Sequence, residues 1–257
     1  MAAMDGAGGL YETIGRGYAT ARPPDPRIAN QIEEAIGGGD SVVNVGAGTG
    51  NYEPPDRQVV AVEPSPSMLR QRRNKHATVR AIAERLPFVD DAFDVAMAIF
   101  TIHHWTNRDL GLQELARVAR RQVSLVYDTD VTARMWLIEY FPELTTALWD
   151  VDAPGPSSIG LHLEVDDVRV LWVPPDCTDG FTGAYWNRPE RYLEAAVQAG
   201  MSTLTRLDPG ARAAGGERLR RAIESGDWDH RHGWLRSEER FDMGYRLVLS
   251  HRRPRWP

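Results

Sequence analysis

Three glycines and one glutamate carry the most specific chemistry in this sequence. The segment VVNVGAGTGNYEPPDRQVVAVEPS places Gly46, Gly48 and Gly50 directly after a short apolar run, and a second apolar run ends at Glu63. Glycines permit a tight turn and let a ligand approach the backbone closely. A carboxylate can accept hydrogen bonds from two hydroxyl groups, such as those of a ribose. The pattern therefore predicts a nucleoside-containing ligand at the carboxyl ends of two parallel strands.

The chain that follows the glycine loop departs from the usual dinucleotide-binding form. That form has G-x-G-x-x-G and a helix whose N-terminus faces a pyrophosphate, whereas the spacing here is G-x-G-x-G. Pro54 and Pro55 lack amide donors and would interrupt a helix that begins near Gly50. At most about one helical turn fits before the second strand, which disfavours a phosphate ligand.

A ligand with an amino-acid tail and no phosphate demands less of such a helix. S-adenosylmethionine carries a carboxylate, an ammonium group, a sulfonium and an adenosine. Backbone amides of residues 46–50 can bind the tail, and Glu63 can accept from both ribose hydroxyls. We expect Glu63 to face an open cleft and to pack little; the alternative is that it only caps the helix starting near Pro66.

The stretch 42–127 resembles the class I S-adenosylmethionine-dependent methyltransferases, in particular the small-molecule group often called type 11. The matching segments occur in the family's order and are VVNVGAGTG, AVEPSPSML, AERLPFVDDAFDVAMA, TIHHW and LQELARVARRQVSLV. The resemblance covers about a third of the chain. It implies an α/β, Rossmann-like fold with a seven-stranded, mostly parallel sheet, an antiparallel last strand and helices on both faces.

The resemblance also assigns residues to S-adenosylmethionine. It implies that the glycine loop lines the methionine tail and that Met68 and Ala83 lie beside the adenine. It further implies that the N-terminal segment folds over the cofactor, where Arg22 would pair with the carboxylate; the alternative is a surface arginine beside a proline turn. The predicted cofactor residues are Tyr11, Tyr18, Arg22, Gly46, Ala47, Gly48, Gly50, Glu63, Pro64, Met68, Ala83, Glu84 and Ile99.

Two positions depart from the family pattern. Ile82 stands where the family usually has an acidic residue that receives the adenine amino group. Asn44 replaces an acidic residue that is common within the first strand motif. Both departures weaken the expected hold on the cofactor and leave open a protein that binds it without efficient catalysis.

His103 and His104 are the candidates for proton transfer. Methyl transfer from a sulfonium needs proximity, in-line alignment and, for some acceptors, a base. The two histidines follow the predicted fourth strand at the ligand end of the sheet, and a neutral histidine near pH 7 can take a proton. The alternative is that this HHW segment is a packing and hydrogen-bonding corner.

Aromatic residues beyond the fifth strand are predicted to wall a substrate pocket. They are Trp136, Tyr140, Tyr185 and Trp186. Such rings could surround an acceptor or attract the sulfonium by cation–π contact. For Trp136 and Tyr140 the alternative is a helix face that packs against the sheet, whereas Tyr185 and Trp186 lie in a turn-flanked segment that could form the rim of the site.

The alternation of apolar runs and amphipathic segments predicts one domain over residues 1–257. Its parts are an N-terminal cofactor-covering segment (1–27), a cofactor-binding core (28–130), a cap insertion after strand 5 (131–185) and C-terminal helices and closing strands (186–257). Residues 201–207 and 245–250 are expected to be the closing strands. Residues 132–149 are expected to form a helix.

Composition argues against several classes of protein. A net charge of −6 leaves no global basic footprint for nucleic acid. No run approaches the roughly 20 apolar residues of a membrane helix. The single cysteine, Cys177, and the absence of a secretory signal in the first ten residues predict a cytoplasmic protein. The histidines and Cys177 lack metal-ligand spacing, so we expect no metal, a small-molecule acceptor, and a monomer or homodimer.

Three functions remain open from the sequence. The favoured one is methyl transfer from S-adenosylmethionine to O, N or C of a small molecule. The alternative is a non-catalytic or weakly catalytic S-adenosylmethionine-binding protein. An NAD-dependent oxidoreductase is less favoured, because the glycine spacing and the short crossover do not suit a dinucleotide.

Overall fold

A seven-stranded sheet in the order β3-β2-β1-β4-β5-β7-β6 forms the centre of the fold. The computed structural model describes residues 22–149 and 155–253. The strands are β1 (Ser41–Val45), β2 (Gln58–Val62), β3 (Ala77–Val79), β4 (Phe93–Ile99), β5 (Ala119–Tyr127), β6 (Glu164–Val173) and β7 (Phe241–His251). Strands β1 to β5 pair in parallel, and β7 is antiparallel to both of its neighbours. The predicted α/β sheet with an antiparallel last strand is confirmed.

Helices cover both faces of this sheet. The helices of the described residues are Pro26–Ile36, Pro66–Leu69, Arg108–Val118, Thr129–Thr132, Leu137–Tyr140, Leu144–Trp149, Pro156–Gly160, Ala195–Ala199, Ser202–Thr205, Pro209–Glu224 and Asp227–His232, with 3-10 turns at Ile102–His104, Pro189–Leu193 and Gly233–Ser237. Because successive side chains of a strand point to opposite faces, neighbours on β1 enter different cores. Val42 packs in the core that contains Ile32, and Val43 packs in the core that contains Leu115.

The parallel register brings the carboxyl ends of three strands to one edge. Val45 at the end of β1 pairs with Val62 at the end of β2, and β4 lies on the other side of β1. The segments that leave these ends begin at Gly46, Glu63 and Phe100. This edge is where open α/β sheets bind ligands.

The connection from β1 to β2 contains turns and no helix. It runs over residues 46–57, and Pro54 and Pro55 lie within it. The sequence allowed at most one helical turn here, and the structure has none. The glycine loop is therefore held by contacts other than those of a crossover helix.

Two predicted elements are wrong or altered. Residues 201–207 are not a strand, because Ser202–Thr205 is a short helix. Met201, Leu204 and Leu207 are all buried, and their spacing of three is that of a helical turn. The helix expected over 132–149 is broken into short helices, since Pro142 cannot continue a helix that precedes it.

Part of the predicted cap belongs to the sheet. Strand β6 lies within residues 131–185 and pairs with β7 along its length, with two register shifts. The first of the two closing strands, which we expected at residues 201–207, is thus supplied by β6 from within the predicted cap. That the other residues of 131–185 form a cap over the cofactor-binding core stays a prediction.

Candidate cofactor and acceptor site

The glycine loop has a backbone conformation that requires glycine. Gly46, Gly48 and Gly50 have φ angles of 73°, 53° and 86°, a region that other L-residues rarely adopt. A Cβ atom at Gly46 would overlap the hydroxyl of Thr101, which follows β4. The end of β4 is therefore packed directly against the loop, and a side chain at position 46 would push them apart.

The loop is tied to the end of β2 by its own amides. The N–H groups of Gly46 and Ala47 both donate to the carbonyl oxygen of Val62, at 2.9 and 3.0 Å. The N–H of Gly48 donates to Glu63 Oε2 at 2.8 Å. The loop and Glu63 thus form one hydrogen-bonded unit.

Glu63 is buried, contrary to the expectation that it packs little. Its residue exposure is 6%, and its Oε1 accepts from the N–H of Ser65 at 2.9 Å. Burial raises the pKa of the Glu63 carboxyl, and the two backbone hydrogen bonds act in the opposite direction. A carboxylate has about four acceptor positions, so two accepted amides leave room for ribose hydroxyls.

Met68 packs against the loop from the helix that follows Glu63. The Ser65 hydroxyl caps this helix by accepting from the N–H of Met68 at 3.3 Å. Met68 is buried, and its Cε would lie 3.3 Å from a Cβ atom at Gly48.

The predicted cofactor residues Tyr11 and Tyr18 lie outside the described residues.

The segment near Ala83 forms the other predicted adenine contact. Ala83 is buried, whereas Ile82 is 41% exposed. Glu84 Oε1 accepts from the N–H of Asn107 at 2.9 Å, which joins this segment to the start of the helix Arg108–Val118. Pro64, which follows Glu63, is partly buried. The roles of these residues toward adenine stay predictions.

Arg22 lies in a buried ion pair. Its Nε and Nη2 both donate to Asp179, the second at 3.2 Å, and the Tyr52 hydroxyl also donates to Asp179. Arg22 is 8% exposed, so the alternative of a surface arginine is wrong. Its guanidinium also lies 6.0 Å from the ring centre of Phe100 and 5.8 Å from that of Phe181. Asp179 balances the charge of Arg22, and a contact from Arg22 to the cofactor stays a prediction.

His103 and His104 form a 3-10 turn just beyond β4, which ends at Ile99. Their ring centres are 3.8 Å apart, and His103 meets the ring of Tyr127 edge-on at 5.5 Å. Burial lowers the pKa of both imidazoles, and the positive charge of Arg206 adds to this effect. The pKa of His104 falls to about 4, and that of His103 lies well below its usual range. Both rings are neutral at pH 7 and are weak bases.

An aromatic cluster next to the histidines was missed from the sequence. It consists of Phe100, Tyr127, Phe181 and Tyr245. Tyr127 and Tyr245 are partners across β5 and β7, with ring centres 5.6 Å apart. Phe100 lies 5.4 Å from both Phe181 and Tyr245, and it has an unusual φ angle of 53°. Strained residues of this kind cluster at functional sites. The available signal was that Phe100 and Tyr127 end apolar strand runs.

Trp136 and Trp186 lie in the core. Trp136 donates its indole N–H to the carbonyl of Trp186 at 2.7 Å and packs edge-on against Trp228 at 5.3 Å. Trp186 is fully buried and stacks on Phe241 at 5.2 Å. The contacts of Trp136 match its packing alternative, and a role of either residue at a substrate pocket stays a prediction.

Tyr140 and Tyr185 are also buried. The hydroxyl of Tyr140 accepts from Arg231 at 2.7 Å. The ring of Tyr185 lies 4.8 Å below the guanidinium of Arg188. All four aromatic residues predicted to wall the pocket thus belong to one buried core cluster.

Residues 22–149 and 155–253 contain no metal-binding cluster and no activated thiol. No cluster of three or more His, Cys, Asp and Glu side chains there could hold a metal ion. Burial raises the pKa of Cys177 to about 12, so its thiol is protonated at pH 7 and is a poor nucleophile. Within the same residues, no helix has the length and apolar character needed to span a bilayer.

The glycine loop, Glu63 and the turn after β4 all fall within a recognised domain. Residues 43–127 match the family described as "Methyltransferase domain". The match covers about a third of the chain. The cofactor of this domain is S-adenosylmethionine, as the sequence predicted.

Similar proteins extend this finding to different extents. The ubiquinone/menaquinone biosynthesis C-methyltransferase of Hahella chejuensis (strain KCTC 2396) is 32% identical over 104 residues, which cover 34% of this chain and 42% of that protein. The chain thus spans less than half the length of this curated relative. A crystal structure described as a candidate methyltransferase from an antibiotic biosynthesis pathway of Anabaena variabilis ATCC 29413 superposes with a TM-score of 0.79. It is 29% identical and covers 90% of this chain and 98% of that chain.

A more distant structure shows the fold alone. The [4+2]-cyclase SpnF superposes with a TM-score of 0.50 at 16% identity, over 95% of each chain. A chain of this fold is therefore named for a reaction other than methyl transfer. Domain and cofactor type follow from the comparisons, whereas the acceptor does not.

Proposed function

We propose that the protein transfers a methyl group from S-adenosylmethionine to an O, N or C atom of a small molecule. One observation carries the proposal: the glycine loop donates to Glu63 at 2.8 Å at a sheet edge that has no crossover helix. This edge supplies close backbone approach and a carboxylate without a helix N-terminus for a pyrophosphate. It suits an adenosine with an amino-acid tail better than a dinucleotide.

The described residues fit this cofactor. A side chain at position 46 would collide with Thr101, so the loop can present only backbone atoms there. Glu63 would hold the ribose. The N–H groups of Gly46, Ala47, Gly48 and Gly50 already donate within the protein, so the amides of Thr49 and Asn51 would hold the amino-acid tail. S-adenosylmethionine, when bound, supplies an electrophilic methyl group on a sulfonium.

The acceptor side is built from the aromatic cluster and the histidine turn. Phe100, Tyr127, His103 and His104 are all partly exposed at the carboxyl edge of β4 and β5. Their surface offers ring faces and neutral imidazoles to an acceptor. Because His104 has a pKa of about 4, the site favours acceptors whose nucleophilic atom needs no strong base.

Further support for a small acceptor comes from the relatives. The name of the Hahella protein states carbon methylation in quinone biosynthesis, and the Anabaena protein is assigned to an antibiotic pathway. The net charge of −6 also disfavours nucleic acid as the acceptor. We further infer a cytoplasmic location and a monomeric or homodimeric state.

A second candidate is a cofactor-binding protein without efficient transfer. Weak bases at His103 and His104, and the exposed Ile82 in place of an acidic residue, favour it. Methyl transfer is preferred because such transfer needs alignment more than it needs a base.

The test is turnover with labelled cofactor. The full chain is incubated with methyl-labelled S-adenosylmethionine and a panel of phenols, activated carbon acids and amines. Labelled product and an equal amount of S-adenosylhomocysteine, formed only when an acceptor is present, would support the proposal. Tight binding of S-adenosylhomocysteine without turnover on any member of the panel would favour the second candidate.

A further inference from the structure

A buried polar cluster lies behind the glycine loop. The Glu53 side chain is fully buried, and three donors surround its carboxylate. Asn44 Nδ2 donates to Oε1 at 2.8 Å, while Arg72 Nη2 and Asn74 Nδ2 donate to Oε2, each at 2.6 Å. The Arg72 side chain is 4% exposed. Arg72 and Asn74 come from the chain beyond β2, and Glu53 comes from the helix-free connection.

The same two donors reach the loop backbone. Arg72 Nη1 donates to the carbonyl oxygen of Gly48, and Asn74 Nδ2 donates to that of Gly50, both at 3.4 Å. A Cβ atom at Gly50 would overlap the Asn74 amide and lie 3.1 Å from Arg72 Cζ. Both side chains are thus packed against the loop backbone itself.

The contact fixes which way the loop peptides point. In a planar trans peptide, the carbonyl and the N–H of the next residue point in opposite directions. With the carbonyls of Gly48 and Gly50 turned toward Arg72 and Asn74, the N–H groups of Thr49 and Asn51 are turned away from them. Backbone N–H groups close together in a turn make a concave site for an anion.

We propose that Glu53, Arg72 and Asn74 are positioning residues that replace the missing crossover helix. They hold the loop so that the N–H groups of Thr49 and Asn51 donate to the carboxylate of the cofactor's amino-acid tail. The inference deepens the proposed function and rests on it. It assigns the orientation of the loop to side chains that do not touch the cofactor.

Charge balance explains why the cluster contains both ions. An unpaired buried guanidinium would carry a large desolvation cost, and Glu53 compensates it. The cluster also explains Asn44, the departure from the family pattern. An acidic residue at position 44 would place a second carboxylate against Glu53, and like charges at that distance oppose each other.

The test separates loop orientation from general folding. The double variant Glu53→Gln with Arg72→Met removes both charges while it keeps similar side-chain volumes, so no unpaired charge remains buried. Arg73→Met is the matched control, because Arg73 is an exposed neighbour. Affinities are measured by calorimetry for S-adenosylhomocysteine and for 5′-methylthioadenosine, which has the nucleoside but no amino-acid tail.

We expect the double variant to lose affinity for one of the two ligands and to keep its affinity for the other. S-adenosylhomocysteine should bind about 10-fold more weakly to the double variant, since hydrogen bonds to a charged group are at stake. Binding of 5′-methylthioadenosine should be unchanged, and Arg73→Met should behave as wild type with both ligands. A purely structural role would weaken both ligands alike.

A second variant covers the case in which the double variant does not fold. Asn74→Ala removes one donor and leaves the ion pair, and we expect the same difference between the two ligands at about 3-fold. Equal weakening of both ligands, or no weakening of either, would overturn this inference alone. Failure of the wild-type protein to bind S-adenosylhomocysteine would overturn the proposed function and this inference with it.

Discussion

The backbone N–H of Gly48 donates a 2.8 Å hydrogen bond to Glu63 Oε2, so the glycine loop is anchored to the carboxylate that ends β2. Glu63 also accepts from Ser65 at 2.9 Å. One side chain therefore organises the loop and the helix start and still offers acceptor positions to a ligand.

Replacing Glu63 by glutamine should weaken both cofactor binding and the unliganded fold. The amide nitrogen of glutamine would face one of the two backbone N–H donors, at a cost of about 1–3 kcal/mol. We expect affinity for S-adenosylhomocysteine to fall about 10-fold to 100-fold and the unliganded melting temperature to fall as well. Melting curves with and without ligand check this, with exposed Glu33→Gln as the control. A lower melting temperature at unchanged affinity would mean that Glu63 only supports the helix start.

The two histidines should make the fold sensitive to mild acid. The pKa of His104 is 6.5 when unperturbed and about 4 in the fold, so between these values the unfolded chain binds more protons. Stability contributed by the neutral ring is present above pH 6.5 and is lost as the pH falls toward 4. We expect the free energy of unfolding in urea to drop by about 1–3 kcal/mol from this residue over that window. The drop should be smaller in His104→Gln; equal pH dependence in both proteins would contradict the assignment.

The same pKa limits the catalytic role of His104. A positioned base contributes about 10²–10⁴-fold in rate when its pKa lies near the working pH. With a pKa of about 4, His104 should contribute less. We expect His104→Asn to lower kcat at saturating substrates by less than about 10-fold, with no inflection near pH 6.5 in the wild-type profile. A loss of a thousandfold would show that His104 is the general base after all.

Substitutions of aromatic residues should affect either stability or acceptor turnover, according to whether the residue lies in the core or at the site. Trp136 is buried and hydrogen-bonded, so Trp136→Ala should cost about 3–5 kcal/mol in the free energy of unfolding. Tyr127 is partly exposed beside His103, so Tyr127→Leu should alter acceptor turnover while it leaves affinity for S-adenosylhomocysteine unchanged. Urea unfolding and steady-state kinetics on both variants check this division. Normal stability with altered acceptor turnover in Trp136→Ala would restore the sequence-based view of the pocket.

Features encoded within a short stretch were predictable from the sequence. The glycine spacing, Pro54 with Pro55, and the apolar run before Glu63 lie within 18 residues and predict a loop with at most about one helical turn beside a carboxylate. Asp208, whose carboxylate accepts from Gly210 at 2.8 Å, was an available N-cap signal for the helix Pro209–Glu224, which our assignment omitted.

Features that depend on distant residues were not predictable. Glu53 meets Arg72 only because β1 and β2 are neighbours, and nothing local marks either residue. Asp179 meets Arg22 across 157 positions. We predicted that Glu63 would pack little, and this was wrong. The two donors that satisfy its buried carboxylate are backbone amides, and every residue other than proline has one, so no residue type in the sequence marks them.

The most direct test of the account is a calorimetric titration of the wild-type chain with S-adenosylhomocysteine and, separately, with NAD. From the loop, its φ angles and its bond to Glu63, we expect the first ligand to bind with a dissociation constant on the order of micromolar. The missing crossover helix requires that NAD show no detectable binding under the same conditions. Comparable affinities for the two ligands, or binding of NAD alone, would contradict the assignment of this site to S-adenosylmethionine.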